Sequence, residues 1–593
     1  MRIRSASAWV GGLFLTIATA CGGATVSGGN PTADAGGAGA SDPALDGGAV
    51  VDDIDQPLVP ASKVDILLVV DNSASMGDKS ERLAASVGTL LRSVTNYDLH
   101  VAVVASSLGA MGGDVCPNEG NYNLAAHLRT SAAAPSGVLT YKGGPIDGLV
   151  KNTEDIVRGV GQYGCGLEAQ LETAYRFLVQ PDPWVSVTLD GNNQAELGPN
   201  GDVDLELLQQ RKEFLRPDSA LVVLMLTDED DSSADPLSVG GQGWAFEARS
   251  FPGSKVFRGD PRNGTTAPRG ASACTDPTRG PGHPDCTSCG FAGLCDLNDP
   301  ACSKLKNDPS CLELGAPPHA GETDDGYKGY YGATDDNLNV RFHRMKERYG
   351  VDPQYPIERY VTGFSKSRVP SRASEHVTKV SANGRREIAP YTNTPTCDNP
   401  IFAQNLPSAP GDELCNMGRG PRSRELVLFA VIGGVPEALA SGSPTWSAIV
   451  GANPDAYDFT GIDPHMIQST SPRPGLQAPS ATRGENGNDP IHGREWSTGQ
   501  DDLQYACTFA LEQPRTCSPQ DASCDCGLAE KNPPLCSATL GEQVRGKAYP
   551  SIRPLRVARG LGDRGIVGSI CAAAGYAETM SIISTKLAPR LAR

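Results

Sequence analysis

The clearest hydrophobic feature of the chain is a set of short apolar runs, separated by amphipathic segments. Residues 64–70, Val-Asp-Ile-Leu-Leu-Val-Val, form the first. A β-branched run of this length reads as a strand buried on both faces. It ends in Asp71-Asn72-Ser73-Ala74-Ser75, after which Leu83, Val87, Leu90, Leu91 and Val94 recur at the helical period. Residues 99–106 predict a second strand. Leu167, Leu171, Ala174, Tyr175 and Leu178 predict another amphipathic helix, and 220–226 a further buried strand that stops at Thr227-Asp228. Beyond these, 424–432 and 565–571 have strand character, and Tyr576, Met580, Ile583 and Leu587 mark a closing helix. Buried strands alternating with amphipathic helices imply an α/β fold with a doubly wound, mostly parallel central sheet. Ligands of such sheets sit at the carboxyl ends of the strands, where Asp71 and Asp228 both fall.

Composition changes the picture by showing how much of the chain lies outside that sheet. The chain has 593 residues, with 68 Gly, 46 Pro and only 6% aromatics, a mix that predicts one ordinary domain with long loop-rich additions. Two insertions, 233–423 and 436–563, separate the first part of the domain (61–232) from a strand at 424–435 and a closing strand and helix at 564–590. The net charge of -18 argues against nucleic acid as a partner and favours cations.

The first residues read as an address. Arg2 and Arg4 precede an apolar stretch from Ala6 to Ala18, and Ala18-Thr19-Ala20-Cys21 offers a cleavage point. The stretch is too short to span a bilayer as a mature helix. Segment 1–21 resembles a bacterial lipoprotein signal, which implies that Cys21 is lipidated and that the anchor is the chain's one attachment to membrane. The 17 cysteines support this, because removing Cys21 leaves an even number to pair in an oxidising compartment. Residues 22–60, rich in Gly, Ala and Asp, predict a flexible tether. Gly22 and Gly23 stand where an inner-membrane retention signal would place Asp, so the resemblance implies the outer membrane.

The candidate chemistry lies at the strand ends. Asp71, Ser73 and Ser75 alternate along one loop, so their oxygens can converge, and Asp228 adds a second carboxylate. Such oxygens suit hard cations, Mg²⁺ first, with Mn²⁺ or Ca²⁺ as alternatives. Few side-chain ligands would leave coordination positions for water or for a carboxylate on a partner.

Asp71-x-Ser73-x-Ser75 after the 64–70 strand, with Leu226-Thr227-Asp228 downstream, resembles the metal-ion-dependent adhesion site of von Willebrand factor A domains. The resemblance implies that Asp71, Ser73 and Ser75 ligate the metal and that Asp228 supports the shell directly or through water. That family also supplies a Thr from a middle loop. Here the loop reads Gly164-Cys165-Gly166-Leu167-Glu168, so Glu168 is the substitute candidate. Cys116 and Cys165 are candidates for a disulfide bracing this rim.

The function expected is cation-dependent binding of a protein or cell-surface ligand by an extracytoplasmic, lipid-anchored protein. Two alternatives remain: an exported enzyme with its active site in the insertions, and a structural envelope protein without metal. No His-Glu-x-x-His or Gly-x-Ser-x-Gly motif occurs. Gly159-x-Gly161-x-x-Gly164 follows a helical stretch and is set aside as a dinucleotide fingerprint. Cys286-x-x-Cys289 in the first insertion reads as part of a disulfide framework rather than as a zinc site, and His283 as a loop residue. A helix is expected over 335–349, with Thr334 as its N-cap. Trp446 and Trp496 form either a satellite core or a contact surface. The run Asp228-Glu229-Asp230-Asp231 beside the candidate site either binds a second cation such as Ca²⁺, or raises the local cation concentration, or is a solvated acidic turn, the reading favoured here.

Overall fold

The computed structural model describes residues 57–592 apart from 193, 249–269, 276–284, 286–288, 290–299, 312–339, 344–351, 383–385, 442, 457, 481–488, 499–501, 519–522, 528–532 and 540. Residues 1–21 expected to form a signal, with Cys21, and also Cys286, His283 and most of the helix expected over 335–349, lie outside the described residues.

Six strands build the central sheet: β1 (Lys63–Val70), β2 (Asp98–Ala105), β3 (Leu139–Tyr141), β4 (Ala220–Leu226), β5 (Val427–Gly433) and β6 (Gly565–Ser569), in the order β6-β5-β4-β1-β2-β3. All neighbours run parallel except β2 and β3, which are antiparallel. The fold is therefore α/β, doubly wound and mostly parallel, as the apolar runs predict. β1 lies at the centre, with Leu68 opposite Val103 on one side and Leu224 on the other.

Successive side chains of a strand point to opposite faces, and each face carries its own layer of helices. On one face Leu67, Val69, Val223, Met225, Phe429 and Val567 pack with α3 (Gln170–Leu178), α4 (Leu205–Phe214) and α5 (Ile552–Gly560), through residues such as Leu171, Phe214 and Leu555. On the other, Ile66, Leu68, Val70, Leu224 and Ile432 pack with α1 (Gly77–Ser93), α2 (Asp147–Gly159) and α6 (Ala577–Leu587), through Leu83, Val157 and Met580. Burial on both faces explains why these strands carry almost no polar residue. α5 lies within 436–563 yet packs into the sheet's own core through Leu555 and Val557. Ile552–Gly560 therefore behaves as part of the α/β layer.

Disulfides staple the loop-rich parts. Among the described residues the bonded pairs are Cys116–Cys165, Cys289–Cys311, Cys397–Cys415, Cys507–Cys571, Cys517–Cys524 and Cys526–Cys536. Such a framework belongs to an oxidising, extracytoplasmic compartment. Cys289, half of the Cys-x-x-Cys motif, is bonded to Cys311. Cys507–Cys571 ties the hairpin of strands Cys507–Thr516 and Glu542–Ala548 to the chain just after β6. Trp496 is buried in a satellite core with Leu503, Tyr505, Leu535 and Tyr549, stacked on Tyr505 at 5.3 Å. Trp446 packs half-buried against the main core. No helix among the described residues is long and apolar enough to cross a membrane.

Candidate functional site

The site begins where β1 and β4 end side by side. Val70 pairs with Leu226, and the Asp71 amide donates to the Leu226 carbonyl at 3.0 Å. Asp71 and Asp228 therefore emerge from adjacent strands at the same edge. Asp71 Oδ1 accepts the Ser73 amide at 2.8 Å, turning the loop, and Oδ2 accepts the Thr227 hydroxyl at 2.8 Å. Thr227 in turn accepts the Gln170 side-chain amide at 2.7 Å. Ser75 Oγ donates to Asp228 Oδ2 at 2.6 Å. The Asp71 loop and Asp228 are thus joined into one cluster.

The second strip of chain arrives from β2. Ser106 and Ser107 follow its end, and the Ser107 hydroxyl donates to Asn72 Oδ1 at 2.8 Å and accepts the Cys165 amide at 2.9 Å. Gly164 donates its amide to the Asn72 carbonyl at 2.7 Å. A Cβ at Gly164 would stand 2.5 Å from both Asn72 Oδ1 and Ser107 Oγ, so close approach requires glycine here. The disulfide between Cys116 and Cys165 closes the rim beside it. This packing brings Glu168 inward, where it is buried near Asp71, Asp228 and Glu229.

Four carboxyl groups crowd together here, and the acidities of Asp71, Glu229 and Glu168 show the repulsion. Burial, with the nearby charge of Asp228, pushes Asp71 up to about 6. Burial with Asp228 and Asp71 pushes Glu229 up to about 8. Glu168 is held well above its ordinary range by burial and by Glu229 and Asp71. Cations of the chain's own answer them: Lys547 lowers Glu229 from a distance, and Lys79 stands within the cluster. Lys79 is buried in the first turn of α1, with Nζ 3.0 Å from Asp228 Oδ2 and donating to the Ser75 carbonyl at 2.6 Å. Burial alone would lower its pKa, but the charges of Asp228 and Asp78 outweigh that and raise it. Three buried oxygens of the cluster still have no hydrogen-bond partner: Ser73 Oγ, Asp228 Oδ1 and Glu168 Oε2. Buried polar atoms are normally satisfied. Unpartnered hard oxygens beside a surplus of carboxyl groups are what a divalent cation requires, so the donor set fits Mg²⁺.

The sequence reading did not foresee Lys79 as a member, and it gave Thr227 and Glu229 only as neighbours of Asp228, in the motif and in the acidic run. Lys79 stands four residues after Ser75, one helical turn on, which is the only signal it gives. The acidic run is also not the solvated turn expected of it. Asp228 and Asp231 are buried. Asp231 accepts the Leu171 amide at 3.1 Å at the start of α3, and Asp230 accepts the Arg553 amide at 2.7 Å at the start of α5. Carboxylates at helix N-termini satisfy amides that lack helical partners, so these acids fasten two helices to the strand end.

The second insertion covers one side of the cluster. The Tyr549 amide donates to the Asp228 carbonyl at 2.7 Å, and the Phe509 ring centre lies 5.9 Å from Lys79 Nζ. The opposite side is open at Ala74, which is exposed, and Ser75, which is half-buried. Two aromatic side chains flank the loop. Tyr163, 73% exposed, precedes Gly164, and Tyr122, 42% exposed, follows Asn121, whose carbonyl accepts the Asn72 side-chain amide at 3.3 Å.

No family model and no curated protein matches the chain. Among solved structures it is similar to the pilus adhesin RrgA from Streptococcus pneumoniae, at 17% identity and a TM-score of 0.13, covering 30% of this chain and 21% of that one. The chain thus spans about a fifth of that adhesin, and a likeness of this extent carries no argument about function. The functional reading rests on the geometry of the cluster.

Proposed function

We propose that this chain is an extracytoplasmic binding protein with a von Willebrand factor A-type domain, which grips a protein or cell-surface ligand at the β1–β4 strand end. The observation that carries the reading is the meeting of Asp71 and Asp228 on adjacent strand ends with Ser73 Oγ, Asp228 Oδ1 and Glu168 Oε2 buried and unpartnered. Asp71, Ser73, Ser75 and Asp228 would hold a divalent cation, Mg²⁺ before Mn²⁺ or Ca²⁺, and Glu168 would stand where the family supplies Thr. When bound, the cation offers a charge that an acidic group on a partner can complete. The chain's own residues prepare the rest. Thr227 and the Ser73 amide orient Asp71, Ser75 and Lys79 orient Asp228, and Cys116–Cys165 fixes the neighbouring loop. Exposed Tyr122 and Tyr163 supply the aromatic contact area that recognition surfaces favour. Lipidation of Cys21 would tether this domain to the outer membrane.

The test is ligand capture on intact cells or extracted surface proteins, with the purified soluble chain in Mg²⁺ and in chelator. Capture that needs the cation and is lost in Asp71→Ala, with Tyr122→Ala/Tyr163→Ala weakened in parallel, supports the reading. Capture equal in chelator and in Asp71→Ala overturns it. For the anchor, mass spectrometry of the mature protein is expected to find lipid on Cys21, and an unmodified N-terminus contradicts it.

A further inference from the structure

A second constellation, sharing no residue with the Asp71 cluster, lies in the second insertion. His465, Asp489 and His492 bring one ligand atom each within 4.8 Å of one another. Their side chains are 8%, 4% and 1% exposed, and the two imidazoles meet edge to face at 5.1 Å. What distinguishes the group from a buried ion pair is how the outer nitrogens are held. His465 Nδ1 lies 2.8 Å from Asp463 Oδ1, and His492 Nε2 lies 3.3 Å from Glu495 Oε1. Glu495 is itself locked by two hydrogen bonds of 2.9 Å from Arg473. A carboxylate beyond each imidazole can keep a proton on the outer nitrogen, although Arg473 Nη2 also lies 3.5 Å from His492 Nε2. A metal need then displace only the proton between His465 Nε2 and Asp489, and such outer carboxylates are what orient histidine toward a metal.

The inner atoms then have an unmet need. His465 Nε2 faces Asp489 Oδ2 at 3.0 Å, and His492 Nδ1 stands 4.0 Å from Asp489 Oδ1. His492 Nδ1 is buried and has no hydrogen-bond partner. A second proton on His465 would satisfy its own contact with Asp489 but leave His492 Nδ1 unpaired. A single cation satisfies all three. Two imidazoles and a carboxylate suit zinc-class ions rather than Mg²⁺. Ligand atoms around tetrahedral zinc stand about 3.3 Å apart, within reach of small side-chain rotations from the arrangement seen. Asp489 is already aimed by the backbone, since Oδ1 accepts the Ile491 and His492 amides at 2.9 and 3.1 Å.

We propose that His465, Asp489 and His492 form a zinc site that pins the turn at Pro464–Met466 to the turn at 489–493 in the second insertion. It is independent of the Asp71 cluster and of the function read from it.

The experiment titrates Zn²⁺ alone into the purified, chelator-stripped soluble chain by calorimetry. It then records X-ray absorption of the zinc-loaded wild type. The proposal expects one equivalent of zinc that still binds in Asp71→Ala and in excess Mg²⁺, with unchanged affinity, and that is weakened by more than about 100-fold in His492→Gln and His465→Gln. The absorption spectrum should show two imidazoles and no sulfur. A wild-type chain that binds no zinc overturns the proposal, as does equal affinity in the folded histidine variants. Because the spectrum needs only the wild type, a zinc shell without imidazole overturns it even where the variants fail to fold.

Discussion

Lys79→Met isolates the electrostatics of the strand-end cluster. In the wild type the Lys79 ammonium pairs with Asp228 Oδ2 at 3.0 Å, with Lys79 2% exposed and Asp228 fully buried. Methionine keeps most of the volume and removes the charge. Removing one partner of a buried pair costs about 3–5 kcal/mol, because the other charge is left uncompensated. For a chain of 593 residues the melting entropy is about 1.2 kcal/mol/K, so the transition should fall by about 2–4 °C. That fall is expected in chelator. Mg²⁺ well above both dissociation constants stabilises both proteins, so the variant should recover only the part of its deficit that its tighter binding supplies, because the ion replaces the lost charge. The variant should also bind Mg²⁺ about tenfold more tightly or better, a difference of about 1.4 kcal/mol, since no ammonium competes for Asp228. Scanning calorimetry of both proteins, with and without Mg²⁺, provides the comparison. A variant as stable as wild type in chelator, or a deficit that Mg²⁺ leaves untouched, would refute the reasoning.

Three further outcomes follow from other parts of the fold. Glu247 is buried, its Oε1 accepting the Ala234 amide, and burial pushes it up to about 8. The folded state therefore holds a proton that the unfolded chain releases near pH 4.5. Stability is full below that value and is lost progressively as pH rises to about 8, by roughly 5 kcal/mol in all. Glu247→Gln should flatten this loss in denaturant titrations between pH 5 and pH 9, and a slope equal to wild type would count against the assignment. Cys116→Ala/Cys165→Ala opens a loop with a sequence separation of 49, for which chain entropy gives a loss of up to about 4 kcal/mol; urea unfolding with no loss would contradict a formed bridge. Gly164→Ala drives a Cβ against Asn72 and Ser107, and should cost about 1–3 kcal/mol while weakening Mg²⁺ binding. Unchanged affinity would mean that this loop does not shape the cluster.

How far the sequence carried depended on whether one residue type or a meeting of distant residues held the information. β1, β4 and β5 are buried on both faces, so their apolar runs stand out from any context. The helix at 205–214 does not, because its buried face includes Gln210 and Arg211, whose guanidinium donates to the Phe177, Arg176 and Gln180 carbonyls. β3 spans only Leu139–Tyr141, too short for a period to register. At the site, Asp71 and Asp228 were legible because each ends a strand. Lys79 was not, since a lysine in a first helical turn reads as solvated, whereas here it is buried beside Phe509 of the covering hairpin. The same limit hid His465 and His492, which are separated in sequence and acquire meaning only when the turns at Pro464–Met466 and 489–493 are brought together.

The central claim is that the Asp71 and Asp228 carboxyl groups, with Ser73 and Ser75, hold one divalent cation. Its most direct test is calorimetric titration of Mg²⁺, and of Mn²⁺, into the soluble chain and into Asp71→Ala, with folding of both checked by circular dichroism. The account predicts a single saturable site in the wild type and none in the variant. Equal heats and equal affinity in the two folded proteins would contradict it.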